Sequence, residues 1–169
     1  FRDGSFSVNF AGQGHNWLGD PHNPAAPEWL DELQQAGIPH EWSASISERL
    51  WRKLAVNCAI NPLCVLHNCR NGGLLEHLDA LSCLCDELAT LLEQCAGKSA
   101  ATGLFNEVEQ IIRATTSNHC SMLQDVQRGQ RTEISYLLGH ACAQARQRGL
   151  QVPLLEDLQQ RLRTHLQAL

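Results

Sequence analysis

Apolar residues recur at helical spacing over most of the chain. In "LLEHLDALSCLCDELATLLEQCAG", Leu74, Leu78, Leu81, Leu84, Leu88, Leu91 and Leu92 repeat every three or four residues. That period predicts one broad apolar helix face, ending at Gly97. It also predicts a preceding helix, opened by a capping box of Ser45 and Glu48 and running through Leu50, Trp51, Leu54 and Ala55. Further helices are expected over residues 102–116, from about 117 to a stop at Gly129, over 132–149, and from Pro153 to the C-terminus. Residues 1–46 keep a different rhythm. "SFSVNF" alternates as a strand does, and "HNWLG", after Gly12-Gln13-Gly14, reads as its hairpin partner. Three prolines then lead into a short helix, "PEWLDELQQAG", closed by Gly37, and "IPHEWSASI" reads as a third strand. The pattern predicts a mainly α protein, with a small β-β-α-β segment over residues 1–46 and an all-α domain over residues 47–169.

Composition removes several function classes. Thirteen basic residues face 18 acidic ones with no basic run, which argues against a nucleic-acid surface. No apolar stretch approaches the ~20 residues a membrane helix needs. The eight cysteines are scattered inside helical patterns, where free cysteine behaves as a small buried hydrophobe. Reduced thiols favour a cytoplasmic setting. Cys64, His67 and Cys69 have ligand chemistry, but the paired CxxC motifs of a zinc site are missing and no metal is expected. The chain begins at Phe1 without a methionine or signal peptide and looks like a piece of a longer protein.

One row of polar residues interrupts the apolar pattern. In "LWRKLAVNCAINPL", Lys53, Asn57 and Asn61 lie four apart and share one helix face, while Leu54, Val56, Cys58 and Ile60 cover the others. Either the row is a thin solvent-facing stripe or it lines an enclosed cleft. Solvated stripes favour Glu, Lys and Gln, whereas asparagine is a weak helix former whose amide competes for backbone bonds. Asn61 precedes Pro62, so a break or kink is expected there. Asn71, in "RNGG", reads as a turn residue beside glycines.

A second polar cluster, "SNHCSMLQDVQRGQRTEISYLLGH", lies between two helices. Ser117 or Asn118 can cap the fourth helix and Thr132 the fifth, which places Glu133 in a first turn where a carboxylate gains from the helix dipole. Ser121 and Asp125 share a helix face. Periodicity does not say whether the two clusters meet.

Taken together, "LWRKLAVNCAINPL", "NCRNGG" and "SMLQDVQRGQRTEISYLLG" closely resemble the ketopantoate reductase (2-dehydropantoate 2-reductase) family, with similarity running from the first residues to about Asp157. The resemblance implies a C-terminal domain like that of 6-phosphogluconate dehydrogenase, preceded by the distal end of a truncated Rossmann-like NADPH-binding domain. It also implies reduction of ketopantoate to pantoate with NADPH, on the route to pantothenate and coenzyme A. Lys53 matches the family's proton donor to the substrate carbonyl. Glu133 matches a glutamate that holds the lysine, the substrate and the cofactor's ribose region. Asn57, Asn61, Asn71, Asn118 and Ser121 match substrate-side positions. The family's GxGxxG fingerprint is not among these residues: Gly12, Gly14 and Gly19 are spaced wrongly and read as a hairpin turn, so the fingerprint is expected upstream of Phe1. The isolated chain is expected to be inactive. A homodimer is compatible with the pattern. Two rivals are a reductase of another 2-oxo acid and a non-catalytic helical dimerisation module built on the leucine-rich helix.

Overall fold

The computed structural model describes residues 16–167, and the chain divides into two compact units, Phe1–Ser47 and Glu48–Leu169. The first contains β1 (Asn16–Leu18), α1 (Leu30–Gln35) and β2 (His40–Trp42). β1 and β2 pair in parallel, with Asn16 opposite His40 and Leu18 opposite Trp42. Parallel strands need a crossover rather than a hairpin, and α1 with its flanking loops supplies it. Within "HNWLG", Asn16–Leu18 is a strand as expected, and β2 is its partner among the described residues. "SFSVNF" and the Gly12–Gly14 turn lie outside the described residues. The loop before α1 is built from Asx turns: Asp20 Oδ1 accepts the His22 N–H at 2.8 Å, and Asn23 Oδ1 accepts the Ala25 N–H at 3.1 Å. Trp42 Nε1 donates to the Pro24 carbonyl at 2.8 Å and ties that loop to β2.

The second unit is all helix: α2 (Ile46–Leu66), which opens at the unit boundary, a 3₁₀ segment (Asn71–His77), α3 (Leu78–Ala96), α4 (Lys98–Ala101), α5 (Leu104–Ala114), α6 (Ser121–Gln127), α7 (Ile134–Gln147) and α8 (Pro153–Gln167). α3 is the hub, packed against α4, α5, α7 and α8 through the leucine stripe read from the sequence. Leu81, Leu84, Leu88, Leu91 and Leu92 are all buried. Burying one such side chain stabilises the fold by roughly 1.5–3 kcal/mol. α8 begins on Pro153, where the missing N–H costs nothing. Its next two N–H groups are met from α3, by Glu87 Oε1 to Leu154 at 2.9 Å and Oε2 to Leu155 at 3.0 Å. α6 and α7 stop as expected at Gly129 and Gly149, which take positive φ of 64° and 69° and let the next N–H reach back to Asp125 and Ala145.

Three expectations differ from the structure. α2 runs through Pro62 without interruption, so Asn61 keeps its place in the Lys53 row; Ala55, Cys58, Ala59 and Ile60 are buried, and packing overrides the local preference. The leucine-rich helix starts at Leu78, not Leu74, because Asn71–His77 is 3₁₀. The fourth helix starts at Ser121, since the carbonyls of Thr116, Ser117 and Asn118 accept from Gly72, Arg70 and Asn71 instead of from a helix of their own.

At the end of α2 the His67 ring stacks on His77, with centroids 4.0 Å apart and planes 18° from parallel. Burial of the covered face, then His77 and Arg161, hold the His67 pKa below its ordinary value. The folded chain therefore binds fewer protons at His67 than the unfolded chain does. The His67 contribution to stability is present above the unfolded pKa of about 6.5 and is lost as the pH falls through the folded one. We expect His67→Gln to flatten this part of a pH series of denaturant midpoints.

Candidate functional site

The C-terminal half of α2 is mostly buried, and the polar row runs down into it. Exposure falls in steps down the row: Lys53 is exposed, Asn57 half-buried and Asn61 buried at 7%. Arg52 fixes the open end. Its Nε lies 2.5 Å from Glu107 Oε2, and its Nη1 reaches the carbonyls of Ala100 at 2.5 Å and Thr102 at 3.0 Å. The neighbouring Trp51 meets His140 of α7, ring centroids 5.5 Å apart. With Trp51 and Arg52 both anchored, Lys53 is the residue of that trio left facing solvent.

At the buried end, a second segment is bonded to α2 and to the residues that follow it. The Asn71 N–H donates to the Asn118 carbonyl at 2.9 Å and the Gly72 N–H to that of Thr116 at 3.1 Å. The backbones approach so closely that a Cβ at Gly72 would lie 2.3 Å from Thr116 Cγ2, and only glycine fits. Asn71 Nδ2 donates to Thr115 Oγ1 at 2.8 Å, and Asn71 Oδ1 lies 3.6 Å from the Cys64 thiol. The Cys120 thiol lies 3.8 Å from the Asn61 carbonyl and accepts the Leu123 N–H at 3.4 Å, so it caps α6 where Ser117 or Asn118 was expected to.

Of the residues singled out from the sequence, the structure thus brings Asn61, Asn71, Asn118 and Ser121 into one region, with Asn57 and Lys53 successively higher on the same face. Asn118 and Ser121 are exposed. Among the described residues, the side chains of Lys53, Asn57, Asn61, Asn118 and Ser121 form no hydrogen bond like the one that ties Asn71 to Thr115. Asn71 is the exception, buried with its amide already bonded. Glu133 is exposed and is itself the N-cap of α7, in place of Thr132; it forms no hydrogen bond or ion pair with the other six among the described residues. A cation and two amides on one helix row, with a further amide and a hydroxyl on the segment bonded to its buried end, suit a polar anionic or carbonyl-bearing small molecule.

Sequence reasoning missed Thr115 and Cys120, and weighed Cys64 only as a metal ligand. Cys120 looked like plain core, and nothing in "ATTSNHC" marks which hydroxyl reaches back to Asn71. No group of three or more metal-ligating side chains occurs among the described residues.

Known proteins are similar to this chain in sequence and in fold. The chain is similar to the 2-dehydropantoate 2-reductase of Salmonella typhi, 40% identical over 154 residues, which cover 90% of this chain and 50% of that protein. It spans about half the length of the curated relatives it matches. Its fold is similar to the crystal structure of a probable 2-dehydropantoate 2-reductase from Bacillus subtilis, with a TM-score of 0.77, 27% identity and coverage of 92% of this chain and 54% of that one. A ternary structure of D-mandelate dehydrogenase with NADH and anilino(oxo)acetate shares the fold at a TM-score of 0.83 and 20% identity, over 95% of this chain and 70% of that one. Residues 45–166, which carry the polar row and the segment bonded to it, match the family described as ketopantoate reductase PanE/ApbA C terminal, and the chain belongs to that family.

Proposed function

We propose that this chain is the substrate-binding and catalytic-acid half of an NADPH-dependent reductase that converts 2-dehydropantoate to pantoate, on the route to pantothenate and coenzyme A. The observation that carries the proposal is the graded row itself. An ammonium stands at its open end, and amides descend toward a second polar segment bonded to its closed end.

In this account Lys53 donates a proton from Nζ to the carbonyl oxygen at C2, whose charge grows as the carbonyl is reduced, and the ammonium stabilises that oxygen before transfer. Asn57 and Asn61 bind the hydroxy-acid chain, and each amide can donate and accept without adding charge. Asn118 and Ser121 take the carboxylate and hydroxyl side. Asn71, whose amide is bonded to Thr115, belongs to the substrate site by holding that second segment in place. Glu133 holds the lysine, the substrate and the ribose region of the cofactor. The nicotinamide, when bound, supplies the hydride to C2.

The described residues fit only part of such a cofactor. Gly19 is no phosphate cradle: a Cβ there would lie 2.4 Å from Ile46 Cβ and 2.6 Å from the Ser43 carbonyl, so this glycine serves close packing after β1. The dinucleotide's phosphates are assigned to a fingerprint upstream of Phe1, and residues 1–46 to the end of the domain that carries it. The chain alone is then inactive. Full-length protein is taken to act in the cytoplasm, as a soluble enzyme compatible with a homodimer. No described helix is long and apolar enough to cross a membrane.

A second reading keeps the chemistry and changes the substrate, because D-mandelate dehydrogenase, which shares the fold, was solved with a different 2-oxo acid derivative. A substrate panel separates the two. With NADPH and full-length protein, ketopantoate is expected to exceed its analogue lacking the 4-hydroxyl by up to roughly 10⁴-fold in kcat/KM, because a site built to pair a hydroxyl rejects compounds without it. Equal rates for the two would remove ketopantoate as the substrate.

A further inference from the structure

Three cysteines flank the place where the row joins the second segment. Two of them come from the end of α2, where Asn68 takes a left-handed φ of 45°. The Cys69 N–H bonds to the Cys64 carbonyl at 3.1 Å and the Asn68 N–H to that of Val65 at 3.1 Å. In a helix stop of this kind the side chains at the first two of those positions come into contact, and here both are cysteines. Cys120 comes from the other segment. Its sulfur sits against the Asn61 carbonyl, which points along the helix axis toward the turn that carries Cys64. The Cys64 thiol lies 3.6 Å from Asn71 Oδ1, and both Cys120 and Cys69 raise its pKa, Cys120 the more strongly. All three cysteines are free; Cys64 is fully buried, Cys120 is 7% exposed and Cys69 half-buried.

We propose that Cys64 and Cys120 are an oxidation-sensitive pair, in which hydrogen peroxide closes a disulfide between α2 and the segment carrying Asn118 and Ser121. The two thiols are unequal in a way that suits the chemistry. Hydrogen bonding from Cys64, together with the backbone N–H groups of Leu123 and Met122, lowers the Cys120 pKa against the opposing effect of burial. The bond to Cys120, followed by burial, raises that of Cys64. Cys120 is then the nucleophile and Cys64 the proton-bearing partner. The Cys120 thiolate attacks one peroxide oxygen; the S–O bond forms, the O–O bond breaks, and the departing hydroxide takes the proton Cys120 released. The Cys64 sulfur next attacks the Cys120 sulfur; the S–S bond forms, the S–O bond breaks, and the Cys64 proton leaves with the hydroxyl as a second water. Two thiols lose two electrons and one peroxide becomes two waters.

Closure removes the Cys64 S–H from Asn71 and fixes the residues flanking Cys120. A consequent loss of ketopantoate turnover rests on the proposed function; the disulfide itself does not. The test is to treat reduced full-length protein with hydrogen peroxide, alkylate the remaining thiols, digest without reductant, and map the peptides by fragmentation mass spectrometry. The expected product joins Cys64 to Cys120, disappears with dithiothreitol, and is missing from C120S, where serine retains the helix cap. Turnover is expected to be lost on oxidation and regained with dithiothreitol, whereas C120S keeps its own untreated rate. Should C120S fold poorly, C64A answers the same question. Free Cys64 and Cys120 under conditions that oxidise the exposed Cys83, or a link through Cys69 in place of Cys64, would overturn the pairing. A mapped Cys64–Cys120 link in a protein that never reduces ketopantoate would uphold the pair and sink the function.

Discussion

Lys53→Ala in the full-length enzyme is expected to lower kcat for ketopantoate by about 10²–10⁴-fold, the range for removing a positioned proton donor. The same substitution is expected to leave the melting temperature close to wild type. Both halves follow from one observation: Lys53 is exposed and makes no bond to the described protein, so nothing in the fold depends on its ammonium. Its neighbours on α2 are anchored, which keeps the helix in place when the side chain is cut back. Lys53→Arg retains the charge but replaces a compact ammonium with a guanidinium that does not give up its proton, and it is expected to recover binding far better than turnover. Circular dichroism and steady-state kinetics on the same samples check this. A mutant that turns over normally removes Lys53 from the role of acid, and one that melts early shows that the fold depends on the side chain.

Arg52→Ala is expected to do the reverse. Arg52 holds α2 to α4 and α5 through Glu107 and through the carbonyls of Ala100 and Thr102. Its side chain is 19% exposed and that of Glu107 is 40% exposed, so water compensates the carboxylate in part and the loss is smaller than for a dry ion pair. Charge-assisted bonds of this kind contribute about 1.5–3 kcal/mol. A net loss of about 2–3 kcal/mol corresponds to a fall in melting temperature of roughly 4–12 °C at this chain length. At a temperature where the mutant is folded, kcat is expected to stay far closer to wild type than in Lys53→Ala. Adjacent residues, one supporting the fold and one the chemistry, are thus separated by two measurements. Equal stability of Arg52→Ala and wild type would show that the three bonds contribute nothing net.

What could be read in the sequence was whatever obeys a local period. The leucine stripe of α3, the stops at Gly129 and Gly149 and the Lys53-Asn57-Asn61 row are all set by residues within a few turns of one another. What could not be read depends on partners distant in sequence. α6 starts late because donors from residues 70–72 take the carbonyls of residues 116–118, and no local preference records a donor that far away. The parallel pairing of β1 with β2 could not be read either, because alternation marks a strand without specifying its neighbours. Pro62 misled in the same way, since the burial of the surrounding turn outweighs its local cost. For the site, spacing found the row, but only the fold joins Asn71 to Thr115 and Asn118. Glu133 keeps its assignment through the family resemblance, not through a contact in the described structure.

The central claim is that the substrate's C2 oxygen lies at the open end of that row. A crystal structure of the full-length enzyme with pantoate and oxidised NADP tests it most directly. The account predicts Lys53 Nζ within about 3.2 Å of the C2 hydroxyl, as a proton donor requires, and the asparagine amides along the chain of the ligand. A C2 hydroxyl bonded to another group, with Lys53 facing solvent, would contradict it.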